Sequence, residues 1–94
     1  MFLIEVTYKK PIEIIDQFLT VHRDFLETHY KKGNLICSGP QNPRTGGIIF
    51  TRFKNKSEVL EFTQQDPFHK EGLADYRIIQ FDPVKFDPNF KFFI

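Results

Sequence analysis

One cysteine, Cys37, is all the chain contains, so no internal disulfide can form. A small domain without that staple fits a reducing compartment, and the expected location is cytoplasmic. Neither sign of charge dominates: thirteen Lys and Arg against twelve Asp and Glu leave a formal charge of +1. That field is too weak to hold a phosphate backbone or an anionic bilayer, so neither nucleic acid nor membrane is an expected partner. Long apolar runs are missing as well. The opening Met1-Phe2-Leu3-Ile4-Glu5 has no basic leader and is too short for a signal peptide or a membrane span. Histidines are few, and His22, His29 and His69 stand seven and forty positions apart, which makes no local metal-ligand cluster. No Gly-rich phosphate loop opens a helix. Chemistry without metal or cofactor is the expectation.

Phenylalanine, in contrast, is abundant. Twelve of them in 94 residues must be buried in a core, at an interface or around a ligand, with core and interface first. The length makes one domain, and such a chain buries only about two-thirds of its unfolded surface, so association would add to its stability.

Hydrophobic periodicity divides the chain into elements. Phe2 to Tyr8 alternates, with Phe2, Ile4, Val6 and Tyr8 on one face, and predicts a half-buried strand. Pro11 suits a first helical turn, and Lys31-Lys32-Gly33 reads as a basic last turn with a C-terminal cap, so one helix is expected from about Pro11 to Lys32. Its stripe is Ile15, Phe18, Leu19, His22, Phe25, Leu26 and His29, which puts two histidines where apolar residues normally sit. Leu35–Ser38 and Ile48–Phe53 read as strands around a Gly- and Pro-rich loop at 39–47. Asn55 with Glu58 resembles a capping box for a helix whose inner face is Val59, Leu60, Phe62 and Thr63. Pro67 ends that helix near Asp66, and Asp66 then caps a short turn closed by Gly72. Tyr76–Phe81 is the last strand.

Strand, helix, strand, strand, helix, strand is the split βαβ pattern of a ferredoxin-like α+β fold: a four-stranded antiparallel sheet with two helices on one face. The other face would carry Leu3, Ile49, Ile79 or Phe81 toward solvent, and an exposed apolar sheet marks an interface. The expected assembly is a homodimer joined through its sheet faces, a dimeric α+β barrel. Residues 1–85 form the domain and 86–94 an aromatic C-terminal extension, whose Phe90, Phe92 and Phe93 are expected to dock on the body or on the partner subunit.

His22 is the residue that can move a proton near neutral pH, and a carboxylate beside it would orient the ring. Asp66 is the candidate partner, although an Asp before Pro at a helix start is also good capping chemistry, and the two roles are compatible. Arg44 in its glycine-flanked loop could hold a substrate carboxylate or stand solvated, and Gly46 and Gly47 could present N–H groups to an anion. Ser38 could line the same pocket as a hydroxyl donor, but no triad makes it a nucleophile. His29 and His69 read as helix-end and turn residues.

The set His22-Arg23 with Phe25-Leu26, Ser38-Gly39-Pro40, Pro43-Arg44-Thr45-Gly46-Gly47, Asp66-Pro67-Phe68 with Gly72-Leu73-Ala74, and Phe81-Asp82-Pro83-Val84 resembles the YciI-like (YCII-related) family over about residues 1 to 85. That resemblance implies a ferredoxin-like dimeric α+β barrel, with a histidine and an aspartate as the active-site pair; these fall on His22 and Asp66. It implies a small enzyme acting by isomerisation or elimination on a small cyclic or enolic molecule. The alternative reading is a non-catalytic module that binds a small molecule or a protein partner.

Overall fold

A computed structural model describes residues 1–94. Four strands, β1 (Phe2–Tyr8), β2 (Leu35–Pro40), β3 (Gly46–Thr51) and β4 (Ala74–Gln80), form one antiparallel sheet in the order β2-β3-β1-β4. Helices α1 (Ile12–Gln17), α2 (Leu19–Lys31), α3 (Lys56–Gln65) and the single turn α4 (Pro67–Lys70) fill the connections. This is the ferredoxin-like α+β arrangement, with β1 central between β3 and β4.

The alternation of β1 decides which face is covered. Phe2, Ile4 and Val6 are buried beneath the helices with Ile15, Val59, Phe62 and Phe68. Each such side chain removed from water contributes about 1.5–3 kcal/mol. Thr51 joins this layer because its Oγ1 donates to the Phe2 carbonyl at 2.8 Å.

The long first helix is in fact two. Phe18, at φ −109° and ψ 5°, leaves the helical region and separates α1 from α2. Its N–H reaches back three residues to Ile15 O, while His22 N–H resumes the four-residue bond to Phe18 O. The break falls between stripe positions three and then four apart, so it leaves the apolar period intact and invisible in the sequence.

Ile49 does not face solvent: it pairs with Ile4 and is 2% exposed. Ile48, Ile49 and Phe50 are all apolar, so alternation alone could not choose the inward residue. The register does, and it turns Ile48 and Phe50 outward with Leu3 and Ile79. β3 also starts earlier than expected, at Gly46, which shortens the loop to residues 41–45. Leu60, expected inside, is 42% exposed, since Val59, Phe62 and Thr63 already fill the inner face of α3. The capping box there is real: Asn55 accepts from Glu58 N–H at 3.0 Å and returns a side-chain N–H to Glu58 Oε1 at 2.7 Å.

Beyond β4 the chain forms a 3₁₀ turn at Pro88–Phe93, capped by Asp87. Arg52 holds it, donating to the Phe92 carbonyl at 3.3 Å and lying over the Phe92 and Phe93 rings. The segment thus meets the body beside Met1 and Phe2.

Candidate active site

Asp66 is positioned by backbone rules before any chemistry is asked of it. Pro67 excludes the helical conformation from the preceding residue, and Asp66 takes φ −63°, ψ 128° as the N-cap of α4. Its Oδ1 accepts the Phe68 N–H at 3.0 Å. Gly72, at φ +66°, then ends the turn in the left-handed region that glycine alone enters freely. The carboxylate that results is wholly buried.

α2 brings His22 to the same oxygen. His22 Nδ1 and Asp66 Oδ1 are 2.8 Å apart. An ionised carboxylate only accepts, so Nδ1–H is the donor and the Nε2 lone pair is the one left for chemistry. The imidazole lies flat on the Phe68 ring, at 4.0 Å between centroids and 4° between planes. Two contacts therefore fix the ring, one at its edge and one on its face.

His22 opens into a cavity of about 280 Å³ between α2 and the inner face of the β2-β3-β1 edge. Val6, Leu19, Leu26, Ile49 and Phe68 form apolar walls, and Arg23, Ser38 and Arg44 add polar groups. That size suits a molecule of about one ring and is below the usual range for drug-sized ligands.

The residues named from sequence fall in different places. His22, Ser38 and Arg44 line the cavity, with Asp66 directly behind His22. Ser38 Oγ shares a 2.7 Å hydrogen bond with the Tyr30 hydroxyl. Arg44 is already engaged: it donates to Asp16 Oδ1 at 2.6 Å and stands 5.8 Å over the Tyr8 ring. The hydrogen bond to Asp16 is the main cause that raises its already high pKa. Gly46 does not reach the cavity, and its neighbour Gly47 does. A Cβ on Gly46 would stand 1.7 Å from the Val6 carbonyl oxygen, so this glycine serves the close approach of β3 to β1. His29 lies in the last turn of α2, as expected, and is 8% exposed within a cluster of Phe25, Phe53 and Phe62, bonded to Asn34 at 3.0 Å.

Two contributors stood in the sequence pieces His22-Arg23 and Asp66-Pro67-Phe68 without a role of their own. Arg23 borders the cavity and forms no ion pair, which makes it a free cation there. Its signal was its place next to His22, about 100° around the helix. Phe68 was marked only as the last residue of the Asp66-Pro67-Phe68 piece, with nothing to show that its ring would stack on an imidazole. No three His, Cys, Asp or Glu side chains converge as metal ligands, and no helix is long and apolar enough to cross a membrane.

The antiparallel sheet with helices packed on it is a ferredoxin-like α+β fold, and here the helices close over a buried carboxylate and a mostly buried imidazole. The YCII-related domain profile matches residues 1–82, and the chain belongs to that family. Among solved structures it is similar to 5-chloro-2-hydroxyhydroquinone dehydrochlorinase from Burkholderia phenoliruptrix AC1100, in complex with 2,5-dihydroxybenzoquinone. That likeness has 20% identity and a TM-score of 0.73, over 87% of this chain and 94% of the other. Comparison with curated proteins gave no significant sequence match.

Proposed function

We propose that this protein is a small cofactor-independent enzyme in which His22 takes and returns a proton and Asp66 orients it, on a small cyclic or enolic substrate. The observation that carries this reading is the 2.8 Å bond between a fully buried carboxylate and an imidazole facing a one-ring cavity. Nε2 accepts a proton from a substrate O–H or acidic C–H, and Asp66 stabilises the imidazolium that forms. In an isomerisation the electron pair shifts along the substrate and the imidazolium returns the proton at another atom. In an elimination the pair forms a new double bond and the leaving group departs with its own electrons. Arg23, with the Ser38 hydroxyl, would bind the developing oxyanion, since Arg44 is committed to Asp16. The dehydrochlorinase, bound to a dihydroxybenzoquinone, supports oxygenated rings as the first compounds to try.

The assembly proposed with it is a homodimer through the open sheet face. Cys37, Phe50, Leu3 and Ile79 lie side by side across all four strands as one apolar row on that face. Cys37 is free, in keeping with a cytoplasmic setting. Sedimentation at micromolar concentration should show two subunits, and a monomer would reject the dimer.

The test of the chemistry is a panel of hydroquinones and enolic acids with His22→Ala as the control. Turnover by the native protein should fall about a hundredfold to ten-thousandfold in the variant. Equal rates would remove His22 from the mechanism, and binding of the same compounds without turnover would make this a binding module.

A further inference from the structure

Asp66 is enclosed, yet only one of its oxygens is occupied. Oδ1 accepts from both His22 Nδ1–H and Phe68 N–H, while Oδ2 is buried with no partner. One other buried side-chain polar atom shares that condition, the hydroxyl of Tyr76. Tyr76 lies on β4, paired with the inward-facing Val6, and its ring stands 5.7 Å from that of His69. An acceptor without a donor and a donor without an acceptor, each shut away from water, both cost free energy until they are satisfied. Here the Asp66 carboxylate acts directly on the Tyr76 hydroxyl, so the two lie close together.

We propose that Tyr76 is a positioning residue for the His22–Asp66 pair: its hydroxyl donates to Asp66 Oδ2, directly after a small side-chain rotation or through one buried water. The assignment rests on the proton-transfer reading above. Burial, followed by the adjacent Asp66 charge, raises the Tyr76 pKa well beyond the ordinary tyrosine range, so the hydroxyl keeps the proton it donates. The carboxylate is then gripped from three elements: α2 through His22, the α4 cap through Phe68 and β4 through Tyr76. A donor on Oδ2 also draws negative charge away from Oδ1. The pull on the Nδ1 proton is moderated, and the imidazolium is not so strongly stabilised that it fails to give its proton back.

Tyr76→Phe in the full chain removes the hydroxyl and keeps the ring. The readout is the proton resonance of His22 Nδ1–H, which moves downfield as its acceptor strengthens. The expected result is a downfield displacement in Tyr76→Phe and an upfield one in Asp66→Asn, opposite signs that a packing role for Tyr76 would not produce. An unmoved or upfield signal in Tyr76→Phe, with Asp66→Asn displaced, overturns the role of Tyr76 and leaves the pair standing. No displacement in either variant rejects the pair itself. Should Tyr76→Phe not fold, a high-resolution crystal structure of the native protein decides the matter. Tyr76 Oη within about 3.2 Å of Asp66 Oδ2, or one water within that distance of both, supports the proposal. Separate partners for the two atoms overturn it.

Discussion

Phe68 touches both halves of the His22–Asp66 pair: its ring supports the imidazole face at 4.0 Å, and its backbone N–H holds the carboxylate at 3.0 Å. Ring plane and carboxylate position are thus set by one residue of a four-residue turn. Phe68→Leu keeps the backbone bond and most of the burial but removes the flat surface. Turnover should fall up to about a hundredfold as the imidazole loses its alignment, with stability lowered by about 1–3 kcal/mol. Rates with denaturation midpoints separate the two effects, and a large stability loss with native rates would show that the stack only packs.

His29 makes the fold sensitive to acid. Burial, then the nearby Lys32 charge, lowers its pKa from 6.5. The unfolded chain therefore binds a proton more readily than the folded one, and stability present above about pH 6.5 is lost as pH falls below it. Melting temperatures of the native protein should decline over that range more steeply than those of His29→Leu, which has no proton to take up. Parallel curves would count against this account.

Gly46 tolerates no side chain. An added Cβ would meet the Val6 carbonyl oxygen at 1.7 Å, whereas at Gly39 it would meet nothing within 4 Å. Gly46→Ala should cost at least about 3 kcal/mol by forcing β1 and β3 apart, while Gly39→Ala should be nearly neutral. Urea midpoints of the two variants give the comparison.

Arg52 clasps the C-terminal turn. Arg52→Ala removes one hydrogen bond and contacts to two aromatic rings. Such cation–ring contacts contribute about 0.5–1 kcal/mol when exposed, which for a domain this size is about 2–8 °C in melting temperature. Removing residues 86–94 should lower it by a similar amount or more. An unchanged melting temperature would mean that the turn rests on the body without stabilising it.

The fold was readable because its periods are clean: the alternation of β1, the capping at Asn55 and the stop at Pro67 each follow from local rules. The inward residue of the run Ile48-Ile49-Phe50 was not readable, since a uniformly apolar stretch carries no alternation and only the pairing with β1 selects a face. The break at Phe18 was hidden because it preserved the helical spacing. At the site, His22 drew notice as an imidazole on an apolar stripe, and Asp66 through its position before Pro67. That the two touch is a tertiary fact across 44 positions. Arg44 and Gly46 were read by residue type alone, and the structure shows one bound to Asp16 and the other spent on strand contact. Tyr76 left no trace, because a tyrosine in a strand has the same pattern whether or not its hydroxyl has a task.

The cavity gathers at the end of β1 marked by Val6 and Tyr8, whereas Met1, Phe2, Phe93 and Ile94 cluster at the other end. The six residue-to-residue steps from Phe2 to Tyr8 along the extended strand span roughly 20 Å. A fluorophore, bead linker or fused carrier attached at either the first or the last residue accordingly projects away from the mouth, so tethered protein offers the same open entrance to screening compounds as free protein does.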